Sequence, residues 1–394
     1  MRTVFHISTH ILRNSTAGHA SLSLRPCNAA TSLRCSFGFS TAPARPFKRI
    51  AVSGLPEIVF ERSEWPLSSL QHYFSEHILA FIGYGNQGRA QSLNARDNGV
   101  DCIIGVQENG EGWKQAVSDG WVAGKTLFSV KKAVEHGTVI LNLLSDAAQV
   151  QQWPVIAPLL TGGKTLCFSH GFSVVFRDQT GITLPEGIDV ILVAPQSPGL
   201  CLRESFQDGH GVNSSIAVWQ DVSGSAKEMA VLLGFTIGSG SIYETTFEKQ
   251  TFADLVGKCG VLGGAIQGLY SAQYKVLRAN GHSPSEAFNE TVEEATQSLL
   301  PLIGKFGMDY MMAACSTTAR RGGLDWAPVF EQANHQIFEK LYESVKNGTE
   351  ARRAIEFNSR SNQGDDFTKE LEELSNQEMW RAGKVVRSLR PENI

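Results

Sequence analysis

From Met1 to Pro56 the chain contains not one Asp or Glu, while Arg2, Arg13, Arg25, Arg34, Arg45, Lys48 and Arg49 are basic. Ser and Thr fill much of the remainder, and MRTVFHISTHILRNS can form a basic amphipathic turn or two. That is the composition of an organelle transit peptide, whereas a secretory signal needs a longer continuous apolar core. Residues 1–48 are therefore expected to be a leader for the mitochondrion, with the matrix as destination. Long apolar runs are lacking as well. No stretch reaches the ~18 residues that a spanning helix requires, so no membrane partner is expected. No CxxC occurs, and the seven cysteines are scattered and odd in number, which argues against a disulfide framework or a zinc site. There is no basic stripe and the formal net charge is −4, so nucleic acid is not an expected partner.

What is present is enough for two cored domains: 394 residues, 42% hydrophobic and 19% charged. ILAFIGYGNQG is an apolar run ending in glycines, followed by the helical pattern RAQSLNARDNG. VDCIIGVQ, TVILNLLSD, KTLCFSHG, DVILVAPQ and SIAVWQD read as further strands, with helical stretches such as GWKQAVSDG and AAQVQQWPVIAPLL between them. Alternation of this kind predicts a parallel sheet covered on both faces. From about Thr251 the pattern turns to long helical periodicity without strands. The expected fold is an α/β Rossmann-like domain over residues 49–242, then an all-α domain over 243–394.

Gly83-Tyr84-Gly85-Asn86-Gln87-Gly88 is a GxGxxG placed after a strand and opening a helix. Its glycines permit a tight turn and let backbone N–H groups reach a pyrophosphate at the helix N-terminus. Glu108 follows the next strand, ~20 residues on, where an acid can accept from a ribose 2′-OH. No Arg or Lys lies between Ile103 and Trp113 to meet a 2′-phosphate, so NADH is favoured over NADPH. His170, in FSHGF, sits at a strand end on the edge where open α/β sheets bind ligands. A lone histidine there is more often structural. Glu290 and Glu294 are an i, i+4 acidic pair, either a solvated face or a hard-cation site. Asp254 and Lys258, in FADLVGKCG, share one helix face.

In this order, IGYGNQGRAQSLNARDNG, LNLLSDAAQ, FSHGFSVVF, DVILVAP, GHSPSEAFNETVEEATQSLLPLIGKFGMDYM, ACSTTARRGGLDWAP and RSLRPEN resemble ketol-acid reductoisomerase of the fungal mitochondrial type. The resemblance covers nearly the whole chain past the leader. It implies a knotted helical C-terminal domain and a homodimer or larger homo-oligomer. It also implies Mg²⁺-dependent alkyl migration in an acetohydroxy acid, followed by hydride transfer from NADPH, in branched-chain amino-acid (valine and isoleucine) biosynthesis. By the same resemblance the catalytic residues are His170, Asp254 and Ser316, and the metal ligands are Asp254, Glu290 and Glu294, the glutamates serving the neighbouring site. Tyr84, Gly85, Asn86 and Gln87, with Asp146, Gln149 and Gly199, become cofactor contacts.

The resemblance also marks departures. It implies a glutamate where this chain has Lys258, a lysine at Gln196, a glycine at Ser197, and an arginine and a serine at Gln107 and Gly112. A lysine in place of a metal-binding glutamate puts Mg²⁺ in doubt and makes Lys258 a catalytic candidate, since an ammonium can polarise a carbonyl but cannot chelate two oxygens. The expected function is NAD(P)H-dependent reduction of a 2-oxo acid or imine without efficient alkyl migration, in a specialised biosynthetic pathway. The alternatives are the family reaction on an acetohydroxy acid, and a non-catalytic relative that binds or regulates the true enzyme.

Overall fold

The computed structural model describes residues 47–360 and 363–390. The expected leader thus lies outside the described residues except for its last two, and Lys48 already opens the first strand. The described residues belong to one compact unit.

Ten strands among the described residues form one sheet: β1 (Lys48–Val52), β2 (Leu55–Glu61), β3 (Leu79–Ile82), β4 (Cys102–Gly105), β5 (Leu127–Phe128), β6 (Val139–Asn142), β7 (Thr165–Phe168), β8 (Asp189–Pro195), β9 (Val212–Gln220) and β10 (Ser239–Glu244). Their order is β1-β2-β10-β9-β8-β7-β6-β3-β4-β5. β3 has β4 on one side and β6 on the other, all parallel, so the chain reverses its direction of winding at β3. That switch point opens a crevice at the carboxyl ends of the strands.

Period-two alternation explains the two cores. Leu79 and Phe81 point into one cluster with Trp121 and Phe235, while Ala80 and Ile82 point into another with Trp153, Phe168 and Phe247. Every residue of β3, β4, β6 and β7 is buried, as strands covered on both faces must be.

The sheet differs from the expected all-parallel one at two places. β8 and β9 are antiparallel, with Pro195 opposite Ser214. The connection through the helix Gly199–Gln207 returns the chain to the edge it left, so β9 must run back along β8. β2 also pairs antiparallel with β10 and extends the sheet through the β1–β2 hairpin, which the sequence pattern did not single out. After β10 closes at Glu244, every described element from Phe247 onward is helical, ending with Glu378–Ser388. No helix among the described residues is long and apolar enough to cross a membrane.

Candidate active site

The glycine loop is built by contacts that only glycine allows. Gly83 has φ +97°, and a Cβ there would lie 3.0 Å from the Leu143 carbonyl oxygen at the end of β6. A Cβ on Gly88 would sit 2.1 Å from the Gly83 carbonyl oxygen, so the turn closes on itself. Gly85 is different. It is the N-cap of the helix Asn86–Asp97, and a Cβ there would meet nothing within 4 Å. Open space over a helix N-terminus fits an approaching pyrophosphate, so the residues present suit a dinucleotide.

The side chains around this loop brace it. Tyr84 turns its ring into the core, where its hydroxyl donates to Asp119 Oδ2 at 2.9 Å and accepts from Trp121 Nε1 at 2.7 Å. Burial pushes the Tyr84 phenol far above its ordinary value, keeping it a neutral donor. Arg89 grips the same carboxylate through two bonds of 2.6 and 2.9 Å and holds Asp119 below the usual carboxylate range. Gln87 Nε2 donates to the Ser197 carbonyl at 2.8 Å, and a Cβ on Gly199 would lie 2.0 Å from the Asn86 carbonyl oxygen. The segment after β8 is thereby latched to the loop.

The fully buried Gln91 continues this latch, donating 3.0 Å bonds to Gln87 Oε1 and to Ser169 Oγ, so it ties the glycine-loop helix to the end of β7. Sequence reasoning missed Gln91; the available signal was a glutamine on the inward face of an amphipathic helix. Gln149, a residue implied as a cofactor contact, is buried and internally committed. It donates to the Leu144 carbonyl at 2.9 Å and accepts from Ser173 Oγ at 2.7 Å. Glu108 is exposed in the loop after β4, beside exposed Gln107, and nearby Lys114 is paired with Glu111 at 2.6 Å.

The second half of the crevice lies where the loop after β7 docks on the helix Phe247–Cys259. A Cβ on Gly171 would meet Thr251 Oγ1 at 2.4 Å, and the Gly171 N–H donates to Gln250 Oε1 at 3.3 Å. Gln250 is a further residue that sequence reasoning missed. This docking brings His170 Nδ1 to 3.3 Å from Asp254 Oδ2, a close approach without hydrogen-bond geometry. Burial lowers the His170 pKa despite the neighbouring acids, so the ring is neutral near pH 7. Asp146, in the first turn of the helix Asp146–Ile156, has its pKa raised mainly by burial, and it interacts electrostatically with His170, Lys258 and Asp254. Lys258 Nζ lies 2.7 Å from Asp254 Oδ2. Contacts of 3.3 and 2.7 Å therefore join His170, Asp254 and Lys258, with Asp146 within their electrostatic field.

The remaining candidates stand elsewhere. Glu290 and Glu294 are exposed in a stretch where Asn289–Glu293 and Ala295–Leu299 are π-helical. Among the described residues no group of three or more His, Cys, Asp or Glu side chains is placed to hold a metal ion, so Asp254, Glu290 and Glu294 do not meet within one chain. With Asp254 already engaged by an ammonium, the residues present here do not fit Mg²⁺. Ser316 is exposed and caps the helix Thr317–Lys346, its Oγ accepting from Ala319 N at 3.2 Å. Gln196 donates to the Tyr243 hydroxyl and so turns toward β10.

A switch-point crevice with a helix N-terminus left open for phosphate defines a dinucleotide-dependent oxidoreductase of the Rossmann type. Two family models carry the assignment further. The acetohydroxy acid isomeroreductase NADPH-binding domain matches residues 73–242, and the ketol-acid reductoisomerase C-terminal domain matches residues 247–392. The chain is 57% identical over 349 residues to the mitochondrial ketol-acid reductoisomerase of Saccharomyces cerevisiae, covering 89% of this chain and 88% of that one. It is 51% identical over 344 residues to the NAD(+) ketol-acid reductoisomerase of Desulfosudis oleivorans, covering 87% and 98%. The structure of an NADH-preferring ketol-acid reductoisomerase from an uncultured archean matches with a TM-score of 0.74 at 30% identity, covering 84% of this chain and 99% of that one. The chain belongs to the ketol-acid reductoisomerase family and is an NAD(P)-dependent oxidoreductase of that family.

Proposed function

We propose that the chain is a working ketol-acid reductoisomerase of branched-chain amino-acid synthesis, converting an acetohydroxy acid with a reduced nicotinamide cofactor. The observation that carries this reading is 57% identity across nine-tenths of the chain to an enzyme of that name, spanning both the cofactor half and the helical half. Such extent favours the family reaction over the reduction-only chemistry expected from Lys258 and Gln196. When bound, the nicotinamide supplies a hydride. The chain's part is to seat the pyrophosphate over Gly85 and to hold the substrate against His170 and Lys258. Neutral His170 can accept the proton of the substrate hydroxyl, with Asp254 beside it to steady the resulting positive charge. Glu108 and the absence of a cation in its loop support NADH as the preferred cofactor.

The name of the yeast relative supports a mitochondrial location, as does the acid-free leader. A second copy of this chain is the proposed partner. The 30-residue helix Thr317–Lys346 has Val345 as its one buried residue and leaves Leu324, Trp326, Val329, Phe330 and Ile337 open. Residues 49–242 and 243–394 are proposed as its cofactor and substrate domains.

Reduction of a 2-oxo acid without migration is the second reading, favoured by the Lys258–Asp254 pair. Oxidation of NADH and NADPH by the purified protein, against an acetohydroxy acid and a simple 2-oxo acid, with and without Mg²⁺, separates them. Turnover of the acetohydroxy acid is expected. Turnover of the 2-oxo acid alone would favour the second reading.

A further inference from the structure

Asp254 has a cation of the chain's own beside it. Lys258 follows by one helical turn in Phe247–Cys259, and its Nζ hydrogen-bonds Asp254 Oδ2 at 2.7 Å. The same oxygen lies 3.3 Å from His170 Nδ1, and half-buried Asp146, in the first turn of the helix that follows β6, interacts with the group electrostatically. Two carboxylates with one ammonium leave little net negative charge to attract a divalent ion. An ion bound to Oδ2 at the ~2.1 Å typical of magnesium would share that oxygen with the ammonium, and like charges a few ångströms apart repel each other. The lysine side chain is 63% exposed against 26% for the aspartate, so its ammonium is anchored at one side and open to a ligand at the other.

We propose that Lys258 is the resident cation of this crevice: it takes the place beside Asp254 that a divalent ion would occupy and meets the oxygens of an oxo-acid substrate directly. The inference rests on the reading that this crevice binds substrate. As hydride brings its electron pair to the carbonyl carbon, the C=O π pair moves onto oxygen. The ammonium stabilises that developing charge without leaving Asp254.

The test uses the full chain and Mn²⁺ as the probe, with free Mn²⁺ read by electron paramagnetic resonance. Wild type and Lys258→Arg should bind Mn²⁺ weakly. Lys258→Met should bind it roughly tenfold or more tightly, and Lys258→Glu tighter still. NADH binding measured on each variant checks that the fold and the glycine loop are intact. In parallel, pyruvate binding in the presence of a chelator should be detectable in wild type, retained in Lys258→Arg and lost in Lys258→Met. Wild-type Mn²⁺ affinity equal to that of Lys258→Met overturns the proposal. So does pyruvate binding that is absent from wild type or indifferent to Lys258→Met. These readouts do not involve turnover, so their failure leaves the isomeroreductase reading standing. A protein that behaves as expected here yet converts no acetohydroxy acid would end that reading instead.

Discussion

The proposed preference for NADH rests on single residues after β4. Gln107 and Glu108 are exposed there, and Lys114 is held by Glu111. A 2′-phosphate would find an acid and no free cation in that loop, forgoing charge-assisted hydrogen bonds worth about 1.5–3 kcal/mol each. NADH is expected to bind at least ~tenfold more tightly than NADPH, one such bond being ample for that factor. Gln107→Arg combined with Glu108→Ser should narrow or invert the ratio. Fluorescence titration with both cofactors measures it, and equal affinities in the wild type would remove the basis for the preference. Much of this is legible in the residue pattern: GxGxxG after an apolar run, and an acid at the end of the next one. The bracing is not. That Tyr84 points into the core, toward Asp119 and Trp121, depends on residues 35 and 37 positions away, which no local pattern reports.

Elements meet at the site through close backbone approach. The segment after β8 abuts the glycine loop so tightly that a Cβ on Gly199 would lie 2.0 Å from a backbone oxygen, an atom unable to move aside cheaply. Gly199→Ala should push the helix Gly199–Gln207 away from Asn86 and weaken NADH binding by ~tenfold or more, a cost of little over 1 kcal/mol. Calorimetric titration checks this, and unchanged affinity would mean that the loop tolerates the shift.

The helical half is tied by Arg390, which donates two bonds of 2.7 and 2.8 Å to Glu293. That pairing holds the Glu293 carboxyl below its usual 4.5. Below about pH 4.5 the unfolded chain takes up a proton that the folded one still refuses, so stability falls as pH falls toward the depressed value. Thermal melts at descending pH should show this loss in wild type and a smaller one in Glu293→Gln. The sequence displayed the acidic stretch containing Glu290, Glu293 and Glu294, but the partner of Glu293 lies 97 residues on and could not be read from spacing. The β8–β9 reversal was hidden for a similar reason. Strand periodicity reports which faces are buried, while direction depends on where the connecting helix returns the chain.

At the scale of the molecule, the alternation of strands and helices, then helices alone, was plain from residue patterning, and both halves match one family. The helical half retains a small core of its own around Tyr274, Phe288 and Met379. Its long helix leaves Trp326 59% and Phe330 55% exposed, an apolar face suited to a second copy of the chain. Phe330→Glu together with Trp326→Glu should convert a dimer to monomers by light scattering. It should also lower activity if Glu290 and Glu294 serve the partner's crevice. A wild-type monomer would contradict the pairing.

The crevice is proposed to rearrange its substrate as well as reduce it. The most direct test is carbon-13 NMR of the product formed from an acetohydroxy acid labelled in its migrating alkyl group, with NADH supplied and Mg²⁺ either present or absent. Isomeroreduction predicts a dihydroxy acid whose label has moved from carbon 2 to carbon 3. A reduced product with the label still on carbon 2, or no product while simple 2-oxo acids are consumed, would contradict it.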